Sequence, residues 1–126
     1  MIILDTDVII DYIRGFAKAQ QFLDSTYKKQ RYSISFVTAV ELIKGARDKK
    51  AQKVAEELIS KFQIVEMGET ISRRCFDLVK RYHLNHSLAL ADSLIASSAL
   101  EYRAKLLTKN LKDYDFIPKL KVESPY

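Results

Sequence analysis

Apolar residues fall along this chain in two patterns that alternate: short unbroken runs, and stripes at helical spacing. The first run, Ile2-Ile3-Leu4, reads as a strand buried on both faces of a parallel sheet. Val8 to Arg14 reads as a helix with Gly15 as its C-terminal stop. Phe16 to Tyr27 carries Phe16, Ala19, Phe22, Leu23 and Tyr27 on one helical stripe. Tyr32 to Ser35 is a second strand, and a helix from Thr38 to Lys44 stops at Gly45. A helix over Lys50 to Lys61 leads to a short strand, Phe62 to Val65. Glu69 to Tyr82 places Ile71, Cys75, Leu78, Val79 and Tyr82 at helical spacing, and Leu90 to Tyr102 is a helix rich in Ala and Ser. Lys105 to Thr108 is a further strand, with an edge strand over Leu120 to Val122 after Pro118.

Strands separated by helical segments imply βαβ units. The expected class is α/β, with a central, mostly parallel sheet and helices on both faces. Three glycines and two prolines leave little material for many tight hairpins, which disfavours an all-β sandwich or barrel. No repeat, low-complexity tract or composition break marks a second domain, so one domain is expected over residues 1–126.

Composition narrows the function. Lys and Arg exceed Asp and Glu by 21 to 16, a net charge of +5 that makes RNA or DNA a plausible partner. The single cysteine excludes an intrachain disulfide and a Cys-based zinc site. Asp5 and Asp7 interrupt the first apolar stretch, unlike a signal peptide, and no run of about 18 apolar residues exists to span a membrane. A cytoplasmic location is expected.

The chemistry lies at the strand ends. Asp5 and Asp7 follow the first strand, Glu41 falls in the first turn of the helix after the second, Asp92 lies near the start of the Ala/Ser-rich helix, and Asn110 and Asp113 follow Leu106-Leu107-Thr108. In open α/β sheets the functional crevice lies beyond the carboxyl ends of the strands. Parallel strands would bring several of these side chains to one edge. Clustered carboxylates repel one another, and a hard divalent cation such as Mg²⁺ or Mn²⁺ relieves that repulsion through oxygen ligands. Such an ion suits phosphoryl chemistry.

Four stretches in order carry a family resemblance: Ile3-Leu4-Asp5-Thr6-Asp7, Thr38-Ala39-Val40-Glu41-Leu42-Ile43-Lys44-Gly45, Leu90-Ala91-Asp92-Ser93-Leu94-Ile95-Ala96, and Leu107-Thr108-Lys109-Asn110-Leu111-Lys112-Asp113-Tyr114. Together they resemble the PIN-domain family, most closely the small toxin ribonucleases of VapBC-type toxin–antitoxin systems. The resemblance implies a PIN-like fold and a Mg²⁺- or Mn²⁺-dependent endoribonuclease inhibited by a cognate VapB-type antitoxin. It places the metal-binding acids on Asp5, Glu41 and Asp92, with the fourth acidic position falling on Asn110, where Asp113 could supply charge instead. Thr6 and Thr108 would position water or substrate, and Arg14 a phosphate. The resemblance also implies water attack leaving 5′-phosphate and 3′-hydroxyl ends, a homodimer, and an antitoxin segment meeting Tyr12, Ile13 and Phe16.

Plainer readings exist for the same residues. Asp5, Asp7 and Asp92 can serve as helix N-terminal acids, and Asn110 as a turn residue. Thr38-Ala39-Val40-Glu41 fits a Thr-x-x-Glu capping box. His83 and His86 form an H-x-x-H pair in Tyr82 to Ser87, which reads as a helix end and loop where solvated histidines are ordinary, and Cys75 reads as buried packing. The basic run Lys44, Arg47, Lys49, Lys50 and Lys53 fits a solvated helix face, an RNA backbone contact or an acidic antitoxin segment. Two rival functions are a haloacid-dehalogenase-like phosphatase with Asp5 as nucleophile, and a catalytically inactive PIN-like binding module. The phosphatase leaves Glu41 and Asp92 unexplained, and the binding module leaves the three acids without a purpose.

Overall fold

In the computed structural model, which describes all of residues 1–126, five short strands form one sheet. They are β1 (Ile2–Leu4), β2 (Ser33–Ser35), β3 (Gln63–Val65), β4 (Lys105–Leu107) and β5 (Lys121–Glu123). Their spatial order is β3-β2-β1-β4-β5, and every neighbouring pair is parallel. The chain winds outward from β1 to β3, then crosses back to place β4 on the other side of β1. The winding therefore reverses between β1 and β4, which pair Leu4 with Leu107. In open α/β sheets this switch point is where ligands bind.

Six helices make the crossovers: α1 (Thr6–Ile13), α2 (Ala17–Thr26), α3 (Phe36–Lys44), α4 (Lys49–Ile59), α5 (Glu69–His86) and α6 (Leu90–Glu101). The pleat divides the apolar runs between two cores. Ile3 and Leu106 face a core with Ile71, Ile95, Ala96 and Ala99 of α5 and α6. Leu4 and Leu107 face the other, with Ile9, Leu23, Leu42 and Leu58 of α1 to α4. Helices cover both faces, as the sequence pattern predicts.

Helix α6 is buried nearly all round. Ser93, Ser97 and Ser98 are inaccessible, and their hydroxyls donate to the carbonyls of Ala89, Ser93 and Leu94 one turn back, at 2.8, 2.6 and 2.9 Å. Satisfied locally, these small polar residues let the helix lie close to its neighbours without orphaned hydroxyls. No helix is long and apolar enough to cross a membrane.

Most boundaries shift by a residue or two from the pattern-based reading, and three of the shifts bear on candidate residues. Helix α3 begins at Phe36, capped by the Ser35 hydroxyl, which accepts from the Val37 N–H at 3.3 Å. Thr38 is therefore inside the helix, Glu41 lies past its first turn, and no Thr-x-x-Glu capping box forms. Helix α5 runs four residues past Tyr82, so His83 and His86 are helical and not in a loop. Helix α1 starts at Thr6, directly after β1, with Asp5 as its N-cap.

Candidate active site

Each acid reaches the switch point from a different element. Asp5 ends β1 and is only 5% exposed. Its Oδ1 accepts from the Thr6 N–H at 2.7 Å, and its Oδ2 from the Thr108 hydroxyl, just past β4, at 2.8 Å. Asp5 is thus both a helix cap and a member of the cluster. Asp92 lies in the first turn of α6, where its Oδ1 accepts from the Tyr114 hydroxyl at 3.2 Å. Glu41 projects from α3, and its Oε1 accepts from the Thr6 hydroxyl at 3.1 Å. Thr6 shares its other contact with the Thr38 hydroxyl at 2.9 Å. Donation from Thr38 to Thr6 and from Thr6 to Glu41 makes a chain that fixes the carboxylate.

Asp7 holds the β4 end in place. Its Oδ2 accepts from the Lys109 N–H at 2.9 Å, the Asn110 side-chain amide at 3.0 Å and the Thr108 hydroxyl at 3.3 Å. The Asn110 amide nitrogen is thereby committed to Asp7, while its carbonyl oxygen remains available as a ligand or acceptor. Asp113 ends the 3₁₀ turn Leu111–Asp113 and is exposed. Arg14 caps the far end of α1, about 13 Å along the helix from Asp5, so the structure does not bring it into the cluster. The basic run at Lys44 to Lys53 is exposed on α3, α4 and the turn between them. Of the residues expected to meet a partner, Ile13 and Phe16 are each 43% exposed, and Tyr12 donates to Asp24 at 2.8 Å. Tyr126 lies against Phe16, with ring centroids 5.8 Å apart.

Tyr114 is the residue the sequence reading missed. Fully buried, it sets its hydroxyl among the acids. It directly follows Asp113 in sequence, but burial of a tyrosine has no local signal of its own.

The electrostatics are one-sided. Burial raises the pKa of Asp5, with Asp92 adding to the rise against the lowering by Thr108 and Thr6. Burial likewise raises Asp92, opposed by Tyr114 and reinforced by Asp113, Glu41 and Asp7. Burial and the charge of Asp5 push Asp7 up to about 6. Burial and the same carboxylates hold the Tyr114 hydroxyl far above its ordinary range, so it remains a neutral donor. The molecule's ion pairs, Arg73–Glu69, Arg74–Glu101 and Lys105–Glu123, all lie elsewhere, so no basic side chain pairs with the cluster.

This donor set suits a hard divalent cation. Every candidate ligand is an oxygen, the charge is uncompensated, and Asp7 Oδ1 is buried with no hydrogen-bond partner. No three His, Cys, Asp or Glu side chains stand close enough together to hold one ion between them. Mg²⁺ commonly takes only one or two carboxylates and keeps several waters.

Comparison with known proteins bears on the family and the fold. A family model described as the PIN domain matches residues 2–117. A ribonuclease named VapC10 from Mycobacterium tuberculosis is 34% identical over 122 residues, covering 96% of this chain and 91% of its own. A ribonuclease named VapC1 from Methanocaldococcus jannaschii is 32% identical, covering 90% of this chain and 79% of its own. Among solved structures, a toxin–antitoxin complex from Klebsiella pneumoniae superposes with a TM-score of 0.82 at 28% identity, covering 100% of this chain and 98% of that one. VapBC-1 from nontypeable Haemophilus influenzae shares the fold, with a TM-score of 0.83 at 24% identity and coverage of 99% and 98%.

Proposed function

The chain belongs to the PIN domain family, and from that premise we propose that it is a metal-dependent endoribonuclease, the toxin of a VapBC-type toxin–antitoxin pair. Residues 1–126 make up one PIN domain in this reading. The observation that carries it is the cluster of acids at the switch point between β1 and β4, with Asp5 buried, Asp92 half-buried and no basic side chain paired with them. Two relatives above 30% identity that are named ribonucleases support the activity.

Asp5 and Asp92 would hold the Mg²⁺ or Mn²⁺, with Glu41 as the third acid and the Asn110 carbonyl or Asp113 filling the remaining position. The ion would supply Lewis acidity toward the scissile phosphoryl group and toward water. The chain's own residues do the orienting. Thr108 and the Thr6 N–H hold both oxygens of Asp5, Tyr114 holds Asp92, and the Thr38–Thr6 pair holds Glu41. Such outer hydrogen bonds fix ligand direction before the ion arrives. In the reaction water attacks phosphorus and the bond to the 3′ oxygen breaks. The products carry 5′-phosphate and 3′-hydroxyl ends.

The phosphatase reading of Asp5 loses its footing, since the chain's family is the PIN domain and that reading leaves Glu41 and Asp92 unexplained. An inactive binding module would have no use for carboxylates kept buried at an electrostatic cost.

The protein partners are a VapB-type antitoxin and a second copy of the chain. The Klebsiella complex supports the first. Exposed Phe76, Leu84 and Leu90, at 67%, 84% and 67%, are apolar surface that such partners would cover. Purified chain incubated with cellular RNA in Mg²⁺ tests the activity: the native protein should cut and Asp5→Asn should not. Equal cutting by both would remove Asp5 from the site.

A further inference from the structure

One groove lies outside the acid cluster, between α5 and the segment from Phe116 to Lys121. Two concavities compose it. The first is lined by Arg74, Leu78, Arg81, Tyr82 and Lys119, and the second by Arg74, Arg103, Lys119 and Lys121. Arg74, Leu100 and Lys119 line both, so the two are continuous. Asp77 is the only acid on the lining, against five basic side chains, and Arg74 is paired with Glu101 at 2.9 Å.

The groove has an aromatic end next to the acids. Arg74, Leu78, Tyr82 and His86 follow one another at four-residue spacing along α5, a single row about 18 Å long. At its end the His86 ring lies flat on Phe116, with centroids 3.9 Å apart and planes 3° apart. Tyr82 meets both rings edge-on, at 5.8 and 5.1 Å. His86 ends α5 three residues short of α6, whose first turn carries Asp92, and Phe116 is two residues beyond Tyr114, whose hydroxyl contacts Asp92. His86 is exposed on its stack. The backbone is strained along the same path. The only non-glycine residues with positive φ are Ser87, which follows His86, and Arg103 and Lys119, which line the basic end.

We propose that this groove is a binding track for single-stranded RNA, in which the exposed His86 ring, backed by Phe116, stacks a base beside the cleavage site and the cations from Arg81 to Lys121 follow the phosphates. It rests on the ribonuclease reading and adds where the substrate lies. A charged channel combined with aromatic platforms is how single strands are held without base-specific contacts. It also resolves a conflict in the site. The acid cluster alone repels RNA, and the groove provides attraction beside it that does not depend on the ion.

The test measures binding of a fluorescein-labelled, mixed-sequence RNA of about 12 nucleotides to the full chain carrying Asp5→Asn, which removes cleavage. Adding Arg81→Gln and Lys119→Gln should weaken binding on the order of 10-fold and flatten the log–log salt dependence by about 1.4. Adding His86→Ala should weaken binding on the order of 10-fold with the salt slope unchanged. All three positions are exposed, so the fold should persist, with an unchanged melting temperature as the control. Unchanged affinity and slope in both sets would overturn the proposal. So would unchanged RNA affinity with an altered sedimentation coefficient, which would make the groove a protein contact. Cleavage of long RNA by the same variants in an otherwise native chain separates the two readings. If the native chain cuts and the variants cut with the same KM, only the groove falls. If RNA binds through the groove and is never cut, only the nuclease reading falls.

Discussion

The Thr108 hydroxyl donates to Asp5 Oδ2 at 2.8 Å, joining residues 103 positions apart across the point where the sheet's winding reverses. The same hydroxyl oxygen accepts from the Asn110 N–H at 3.0 Å. Thr108 therefore sets both the direction of the Asp5 carboxylate and the start of the loop that carries Asn110 and Asp113.

Replacing it tests that role. Thr108→Val keeps the shape and removes the hydroxyl, leaving a buried carboxylate oxygen without its donor. The expected loss is about 1–3 kcal/mol of stability and about 10- to 100-fold in RNA cleavage. Thermal melting and steady-state cleavage measure the two together. Thr108→Ser, which retains the hydroxyl, should recover most of both.

Tyr114→Phe removes only the hydroxyl that contacts Asp92. With its aromatic ring still filling the core, the fold should survive while cleavage falls about 10- to 100-fold. An unchanged rate would show that the tyrosine is packing alone.

The raised acids make stability depend on pH in a defined direction. Asp5, Asp7 and Asp92 bind protons more tightly folded than unfolded, so the folded state gains as they protonate. For Asp7 the window runs from about 6 down to its ordinary value of 3.8. Metal-free protein should therefore melt higher at pH 5 than at pH 7.5. Asp92→Asn should melt higher than the native chain at pH 7.5, on a scale where 1 kcal/mol moves Tm by about 4 °C. A lower Tm for Asp92→Asn would contradict the burden assigned to that charge.

Cation binding should offset the same burden. Mg²⁺ or Mn²⁺ should raise the Tm of the native chain at pH 7.5, following the concentration dependence of a ligand that binds only the folded state. Asp5→Asn should blunt the rise. An equal rise in both proteins would place the ion elsewhere.

Much of this site was legible in the sequence because its acids sit directly at the ends of strands. Asp5 follows Ile2-Ile3-Leu4 with no intervening loop, and Asp92 opens a helix whose Ala and Ser content marks it as buried. Parallel strands then bring distant acids together. What stayed hidden depends on pairing across the fold. That Asp7 grips Lys109 and Asn110 is a contact over more than 100 residues, with no local sign. Glu41 was misplaced because Ser35 and Thr38 are both good caps, and β2 feeds straight into α3 at Ser35. The last turn of α5 has no signature in the pattern, because Leu84 there is 84% exposed and no apolar stripe continues.

The most direct measurement is cleavage of a defined RNA by the purified chain in excess chelator, and again after Mg²⁺ or Mn²⁺ is restored, with the new ends identified. The acid cluster at β1 and β4 predicts no cleavage in chelator, recovery on adding the ion, and 5′-phosphate with 3′-hydroxyl ends. Cleavage that persists in chelator, or products ending in a 2′,3′-cyclic phosphate, would contradict it.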